Sequence, residues 1–456
     1  MSATTYDLTT GSVWKKLLQF LFPILLGLLF QQLYNTADAF IVGHYLGDDA
    51  LAAVGGSASV LTNLVLGFFT GLNSGATVII SQRFGSKDYD GLSKLLHSWL
   101  VLATFIGAAI TVGGCLLARP ALELVNNPER IMDDSIAYLR IYITGAIPIL
   151  VYNLFQGTLQ AVGDSRKPLI YLITSCVTNI ILDLVFVGMF GWGIPGAGWA
   201  SVLSMTLCMV LAFVKLLRVD GPHRLYLSRL SCKFGELKEA LRIGLPAGAQ
   251  SMMYSISNTI ITTAVNGFGT EVVSAWTATG RLDGFYWVTS TAFSTAISAF
   301  VGQCYGAGKI KRMKESIKTC LIMSISSAVM LSTVLLLIAP FVYPQFLHSE
   351  RVIDFALEIM SYFVPCYFIW SYIDVLSGTF RGAGDAFIPM VIVMLGTCLF
   401  RVIWMLAVVP HWHSIMSISL VYGISWVITG AVFTVYYFKG RWLRGSKEKE
   451  LVNDKA

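Results

Sequence analysis

Long runs of apolar residues recur along the whole chain, and they restrict its fold more than any other feature. A helix needs about 20 apolar residues to cross the hydrocarbon core of a bilayer. Hydrophobic residues make up 55% of the 456 residues and charged residues only 13%, against about 25% charged in soluble domains. The sequence therefore predicts an all-α membrane protein with twelve transmembrane helices, near 15–43, 51–80, 95–118, 135–156, 168–190, 196–217, 240–265, 275–301, 317–344, 357–379, 387–409 and 415–438.

Basic residues are concentrated in one set of the connections between these runs. Of the 32 lysines and arginines, 26 lie in the two terminal segments and in every second connection, whereas the opposite connections hold only Arg119, Arg130, Arg140 and Arg351. Because lysine and arginine are retained on the cytoplasmic side, both termini are predicted to be cytoplasmic. The start, MSATTYDLTTGSVWKK, does not resemble a signal peptide. The net charge of +6 fits a face next to anionic lipid and predicts no nucleic-acid partner.

The two halves of the sequence repeat at a fixed offset of 221 residues. SQRFGS (81–86) matches GQCYGA (302–307), GTLQAVGD (157–164) matches GTFRGAGD (378–385), and Pro168 matches Pro389. Six helices per half is an even number, so two six-helix lobes related by a pseudo-two-fold axis along the membrane normal are expected, as in rocking carriers. The alternative is a duplication kept only for packing, as in some channels. The predicted division is an N-terminal lobe 1–217, a basic cytoplasmic linker 218–238, a C-terminal lobe 239–438 and a cytoplasmic tail 439–456.

Asp38 and Asp183 each lie inside an apolar run, where a carboxylate is costly and typical of an ion or proton site. The alternative for each is an acid at a helix end that reaches water. From the helical rise, Asp183 lies roughly 22 Å from the cytoplasmic end of its helix, and Asp38 and Ser201 fall in the same outer half. Asn179 and Asn35 share a helix face with Asp183 and Asp38. These five residues are predicted to bind the coupling cation, a proton or a Na+ held by Asp38, Asn179 and Asp183.

The second half differs, because Phe400 and Trp404 occupy the positions that match Asn179 and Asp183. The charged residues predicted to be buried in this half are Arg281, Asp283, Asp374 and Arg401. Arg281 and Asp283 are a candidate ion pair. For all four charges, a structural role is as compatible with the sequence as a functional one. Aromatic rings and methionines can hold flat organic cations, although ordinary packing is the alternative for each. The residues predicted to line a substrate cleft are Tyr34, Tyr152, Gln250, Met253, Tyr254, Arg281, Asp283 and Tyr286.

Several motifs together resemble the multidrug and toxic compound extrusion (MATE) family. They are YNTADAFIVGHYLGDDALAAVG (34–55), SQRFGS, GTLQAVGD with Pro168, NIILD (179–183) and GIPGAGWAS (193–201). The resemblance covers nearly the whole chain. It is closest to the bacterial branch that lacks an acid in the seventh span, since the stretch here reads GLPAGAQSMMYSISN (244–258).

The resemblance implies export of organic cations driven by inward flow of protons or Na+, with a cleft opening outward between the lobes. It places the first-lobe cation site at Asp38, Asn179 and Asp183, with a hydroxyl near Ser201. The resulting prediction is a monomeric antiporter in the lipid bilayer of a bacterial plasma (inner) membrane, which exports small amphipathic organic cations by alternating access and needs no cofactor besides the driving H+ or Na+. The alternative is a lipid-linked precursor flippase of the same superfamily, kept open by Arg281 and Arg401. An enzyme is the third possibility, but the six histidines are scattered in loops and helix ends.

Overall fold

The computed structural model describes residues 7–412, 414–440 and 442–443, so most of the predicted tail 439–456 lies outside the described residues. In this part of the chain the regular structure is helical throughout, with no strand. The all-α prediction is therefore confirmed.

Within the described ranges, the helices form twelve long segments, numbered α1 to α12. The fourth is a bent pair, in which Glu129–Thr144 and Ala146–Ala161 meet at 45°. In chain order the segments are α1 Val13–Leu46, α2 Asp48–Gly85, α3 Tyr89–Leu124, α4 Glu129–Ala161, α5 Arg166–Met189, α6 Gly193–Arg218, α7 Phe234–Asn266, α8 Thr270–Gly306, α9 Ile310–Gln345, α10 Glu350–Gly382, α11 Phe387–Ala407 and α12 Ile415–Lys439.

Nine of these helices are long and apolar enough to cross a membrane, or ten if the bent α4 counts as one span, among the residues described. The other two, α7 and α8, are 33 and 37 residues long, which is more than sufficient length. Serine, threonine and asparagine lower their apolar character, as in SISNTIITT (255–263). Polar residues of this kind inside a spanning helix mark faces turned to protein or to water rather than to lipid.

The chain divides into two compact units. The first comprises Gln19–Gly248 together with a short N-terminal piece, and the second comprises Thr9–Leu18 and the chain from Ala249 onward. In the second unit, Lys309 Nζ donates to the carbonyl oxygen of Thr9 at 2.9 Å, and Arg312 donates to the carbonyl oxygen of Gly11 at 2.6 Å. The segment before α1 is thus held by the loop between α8 and α9 and by the first turn of α9. The lobe boundaries predicted from the sequence remain a prediction.

The basic segment between α6 and α7 packs on the first unit. The backbone N–H of Tyr226 donates to His97 Nε2 at 2.9 Å, and Arg83 on α2 pairs with Glu236 at 2.5 Å and with Glu239 at 3.0 Å at the start of α7. Burial, aided by Lys215, lowers the pKa of His223 to about 4. His223 is therefore neutral at neutral pH, and this segment can bury it without burying a charge.

Glycines bring α2 and the first half of α7 into close contact inside the first unit. A Cβ on Gly71 would lie 2.6 Å from the carbonyl oxygen of Ala247, and one on Gly248 would lie 2.7 Å from the carbonyl oxygen of Phe68. Gly75 and Gly244 face each other in the same way. Small residues permit such backbone contact between helices in membranes, where packing rather than the hydrophobic effect drives association.

Candidate functional site

The carboxyl groups of Asp38 on α1 and Asp183 on α5 lie close enough to interact directly. Asp183 is fully buried, and Asp38 is half-buried with its Oδ1 shielded from solvent. Neither oxygen of Asp183 nor Oδ1 of Asp38 accepts a hydrogen bond from any residue the structure describes. A contact between two carboxyls becomes a hydrogen bond only when one of them carries a proton. The pair therefore needs a proton or another cation to be satisfied.

Further oxygen and nitrogen groups surround this pair. Asn179, one turn before Asp183, is fully buried, and both polar atoms of its amide lack a partner among the described residues. Ser201 on α6 is buried and accepts a hydrogen bond of 2.9 Å from the hydroxyl of Tyr34. Tyr34 lies within electrostatic range of the carboxyl groups of Asp38 and Asp183. The structure thus gathers four of the five predicted residues. The fifth, Asn35, is exposed.

Two tyrosines of α4 complete the surroundings of the pair, and the sequence analysis missed both. The rings of Tyr138 and Tyr142 stack with their centroids 5.6 Å apart, and both lie within electrostatic range of Asp38. The signal that could have identified them is their spacing of four, which places both side chains on one helix face. That face could not be assigned to the acids without the tertiary fold.

The backbone changes its hydrogen-bonding pattern immediately after Asp183. Leu184–Met189 forms a π-helical turn, an arrangement that is rare and found preferentially at functional sites. Within this turn, the ring of Phe186 stacks on that of Trp192, which follows the helix end, with their centroids 4.6 Å apart. The turn widens α5 beside the carboxyl pair.

The donor set of this cluster fits a hard cation. Carboxylate, amide and hydroxyl oxygens are the ligands that Na+ and protons use, and several of these atoms are buried and without partners. No group of three or more histidines, cysteines, aspartates and glutamates with metal-site spacing occurs in the described part of the chain. A transition-metal centre is therefore not supported by the described residues, whereas a monovalent cation between Asp38, Asn179 and Asp183 is compatible with them.

The second unit contains its own cavity, with a volume of about 460 Å³. Aromatic side chains from α8, α10 and α12 form much of its wall, with polar groups from α7 and α11. The lining residues are Tyr254, Asn258, Thr262, Trp276, Thr279, Gly280, Asp283, Trp287, Phe363, Trp370, Arg401 and Tyr422.

Two charged residues line this cavity, and they are satisfied to different degrees. Asp283 accepts a short hydrogen bond from the hydroxyl of Tyr367. Arg401 donates from Nε to Ser425 Oγ at 3.1 Å and stacks over the ring of Tyr422 at 4.0 Å, but its Nη2 is buried without an acceptor among the described residues. The cavity therefore offers a satisfied acid and an incompletely satisfied base.

The remaining residues predicted for a substrate cleft fall in different places. Tyr254 and Asp283 line the cavity. Tyr286 lies behind it, with its hydroxyl bonded to the carbonyl oxygen of Tyr367 at 2.7 Å. Arg281 is exposed and forms no ion pair with Asp283 in the part of the chain described, so the suggested pairing of these two residues is wrong.

Three more of the predicted cleft residues lie outside the set that lines this cavity. Tyr152, in the first unit, is buried and bonds to the carbonyl oxygen of Pro168 at 3.5 Å. Gln250 and Met253 are half-buried on α7.

Asp374 is not assigned a role from the sequence. In the structure it accepts a hydrogen bond from Ser290 at 2.7 Å.

Comparisons with known proteins agree with this architecture. A family model described as MatE matches residues 23–185 and 246–406, one range in each half of the repeat. A relative from Bacillus subtilis (strain 168), named "Probable multidrug resistance protein YpnP", is 28% identical over 440 residues, which cover 96% of this chain and 97% of the relative.

Solved structures share the fold over nearly the whole length. A multidrug resistance MATE family transporter of the MOP superfamily, in an outward-facing conformation, matches with a TM-score of 0.89 at 20% identity and covers 99% of this chain and 100% of its own. A MOP superfamily transporter from Pyrococcus furiosus, described as having a binding pocket of reverse polarity, matches with a TM-score of 0.89 at 22% identity, covering 98% and 99%. The predicted fold of twelve helices in two lobes is that of these transporters.

Proposed function

The chain belongs to the MatE family of multidrug transporters, and on this basis we propose that it is an antiporter that exports amphipathic organic cations in exchange for protons or Na+. The observation that carries the proposal is the buried pair of Asp38 and Asp183 without a hydrogen-bond donor. Two ionised carboxylates in contact repel each other, most strongly where little water screens them. A single positive charge bound between them removes this repulsion.

The exchange follows from competition for this negative charge. When the pair is ionised, it attracts a cationic substrate. When a proton or Na+ binds, the net charge falls and the attraction weakens, so the substrate is released. The coupling cation drives a cycle only if it binds one conformation of the transporter better than the other. Its higher concentration outside then favours release of the substrate to the outside.

An export assay tests the proposal directly. Expression in a bacterium without its own multidrug pumps should lower the accumulation of ethidium-like cationic dyes, and dissipation of the ion gradients should restore accumulation. Membrane fractions must show that the protein is present. If a broad panel of cations accumulates to the same level with and without the protein, multidrug export is wrong.

Separate gradients distinguish the two candidate cations, because the oxygen ligands suit either. Proteoliposomes with an imposed proton gradient and no Na+, and others with a Na+ gradient at equal pH, should show concentrative dye transport under one of the two conditions.

We propose no cofactor besides this cation, and a monomer in which lobes 1–217 and 239–438 are joined by the linker 218–238.

The proposed orientation places both termini and the linker in the cytoplasm of a bacterial cell, in its plasma membrane. Ser228 in the linker and Asp48 at the start of α2 are both exposed, so accessibility does not bias the comparison. With reactive native cysteines removed, a membrane-impermeant thiol reagent on whole cells should label Asp48→Cys and leave Ser228→Cys unlabelled. The reverse pattern would overturn the orientation.

The alternative of a lipid-linked precursor flippase receives less support from the charges. Binding of a pyrophosphate requires several basic groups, yet Arg401 is the one basic residue among the described lining residues of the second-unit cavity, and it is accompanied by Asp283. The first-unit cluster is acidic. We propose a transporter rather than an enzyme because the family model and the relatives are those of transporters. His413, one of the six histidines, lies outside the described residues.

A further inference from the structure

Arg401 is a buried base without a full set of acceptors. The side chain is only 3% exposed, and it forms no ion pair within the described residues. Of its three guanidinium nitrogens, Nε alone donates to an acceptor there. A buried cation is normally paired or fully hydrogen-bonded, because removing it from water is costly. A ligand that supplies an acceptor would complete this site.

The position of the guanidinium suits a flat anion. The guanidinium carbon lies 4.0 Å from the ring centroid of Tyr422 and 5.6 Å from that of Trp426, and these rings hold the group at the cavity wall. Nη2 is closed off from water, so Nη1 is the nitrogen that can donate to a carboxylate in the cavity, from a planar group that lysine cannot provide. The nearby acid, Asp283, is already engaged by Tyr367, so it does not compete for Arg401.

The rest of the cavity accommodates an aromatic body. Trp287 and Trp370 approach each other at 5.4 Å in an edge arrangement, and Tyr254 meets Trp370 at 5.7 Å. Rings in such positions bind flat apolar groups through their faces. The volume of about 460 Å³ falls in the range of pockets for drug-sized molecules.

We propose that this second-unit cavity is a binding subsite for an aromatic carboxylate. Arg401 is the counter-ion of its carboxylate, and the surrounding tryptophans and tyrosines contact its aromatic rings. The inference rests on the proposed export function and extends its substrates from purely cationic compounds to aromatic compounds that carry a carboxylate. Such a molecule is recognised by its negative group in the second unit, independently of the acidic cluster in the first.

A matched pair of dyes tests the subsite by binding alone. Rhodamine 110 carries a free carboxylate, and rhodamine 123 is its methyl ester with the same ring system and no negative group. Fluorescence polarisation with the purified full chain measures the affinity of each dye, and rhodamine 110 should bind partly through its carboxylate. Arg401→Gln should weaken rhodamine 110 binding roughly tenfold or more, which is the effect of losing a hydrogen bond to a charged group, and should change rhodamine 123 binding less than about twofold.

Two variants separate recognition from folding. Arg351→Gln removes an exposed arginine of the same unit that does not line the cavity, and it should leave the affinities of both dyes unchanged. Arg401→Lys keeps the charge but loses the planar guanidinium, so it should lower the affinity for rhodamine 110 by an intermediate amount. If Arg401→Gln does not elute as a single species, Arg401→Lys takes its place in the test.

The outcomes are decisive in both directions. Selective loss of rhodamine 110 affinity supports the subsite. Equal weakening of both dyes by Arg401→Gln would show a structural role, and an unchanged affinity of rhodamine 110 for that variant would show that Arg401 recognises no carboxylate; either result overturns the proposal. Binding needs no ion gradient, so this test is independent of the export assays. Carboxylate binding can be found where export is absent, and export can be found where carboxylate binding is absent.

Discussion

Asp183→Asn is expected to reduce gradient-driven dye export to background while the protein remains folded in the membrane. Asparagine keeps the shape of the side chain but cannot ionise, so the pair with Asp38 loses the repulsion that a driving cation relieves. Asp38→Asn should have the same effect from the other side of the contact. Asn179→Ala should weaken export less, because it removes an oriented dipole rather than a charge. Concentrative ethidium uptake in inside-out proteoliposomes measures all three.

The control for these variants is another membrane-embedded acid. Asp374→Asn alters a carboxylate that accepts a hydrogen bond from Ser290 in the second unit, far in sequence from the pair, and it should reduce transport much less. Elution as a single species and an unchanged midpoint of thermal aggregation confirm folding. Near-normal concentrative uptake by both aspartate variants of the pair would eliminate this coupling site and direct attention to the second unit.

Gly71→Val is expected to prevent accumulation of folded protein or to lower its thermal stability sharply. The new side chain would collide with backbone atoms of Ala247 and Gly248 on α7, at 2.6 to 2.7 Å from its Cβ. Backbone atoms cannot turn aside as a flexible side chain can, so the helices must separate. Overpacking of this kind costs about 1–3 kcal/mol and sometimes more, a large share of the stability of a typical protein.

The matched control lies one turn earlier on the same helix. A Cβ on Gly67 would meet nothing within 4 Å, so Gly67→Val carries the same change in helix propensity without the collision. Thermal aggregation followed by fluorescence-detected size-exclusion chromatography compares the two variants. Equal midpoints for Gly71→Val and Gly67→Val would show that the close approach of α2 and α7 contributes little to stability.

The sequence predicts the helical architecture well because the bilayer imposes length and polarity on each helix. The repeat at 221 residues supports counting α7 and α8 as spans, although serine, threonine and asparagine lower the apolar character of both. The bend between the two parts of α4, at Gly145, has no equally clear signal, since glycine also packs helices without bending them. Helix boundaries and bends depend on tertiary packing, which one sequence does not specify.

The acidic cluster was partly predictable for a different reason. Asn179 and Asp183 share a face because they are four residues apart, and helical rise places Asp38 at a similar depth. That Asp38 and Asp183 touch, and that Tyr138 and Tyr142 surround them, depends on how three separate helices are arranged around the bundle. The π-helical turn after Asp183 also has no compositional signal, because its residues are ordinary apolar ones.

The aromatic cavity of the second unit was the least predictable feature. Aromatic residues make up 12% of the chain, so their occurrence in a helix carries little information. The cavity forms because Trp276, Trp370 and Tyr422 from three different helices point toward one volume. Arg401 stood out as a buried charge, but only the structure shows that it lines this volume with an unsatisfied guanidinium.

The central claim is that substrate export is coupled to cation entry through Asp38 and Asp183. It is tested most directly by measuring cation movement while the substrate moves down its own concentration gradient in the opposite direction. Proteoliposomes loaded with ethidium and diluted into dye-free buffer would be followed for inward movement of protons, by an internal pH-sensitive dye, and of radioactive Na+. Downhill exit of ethidium should draw one of these cations inward in the unmodified protein, and Asp183→Asn should abolish that movement while the protein remains folded. Equal cation movement in the variant, or ethidium exchange in the unmodified protein without movement of either cation, would contradict coupling through Asp38 and Asp183.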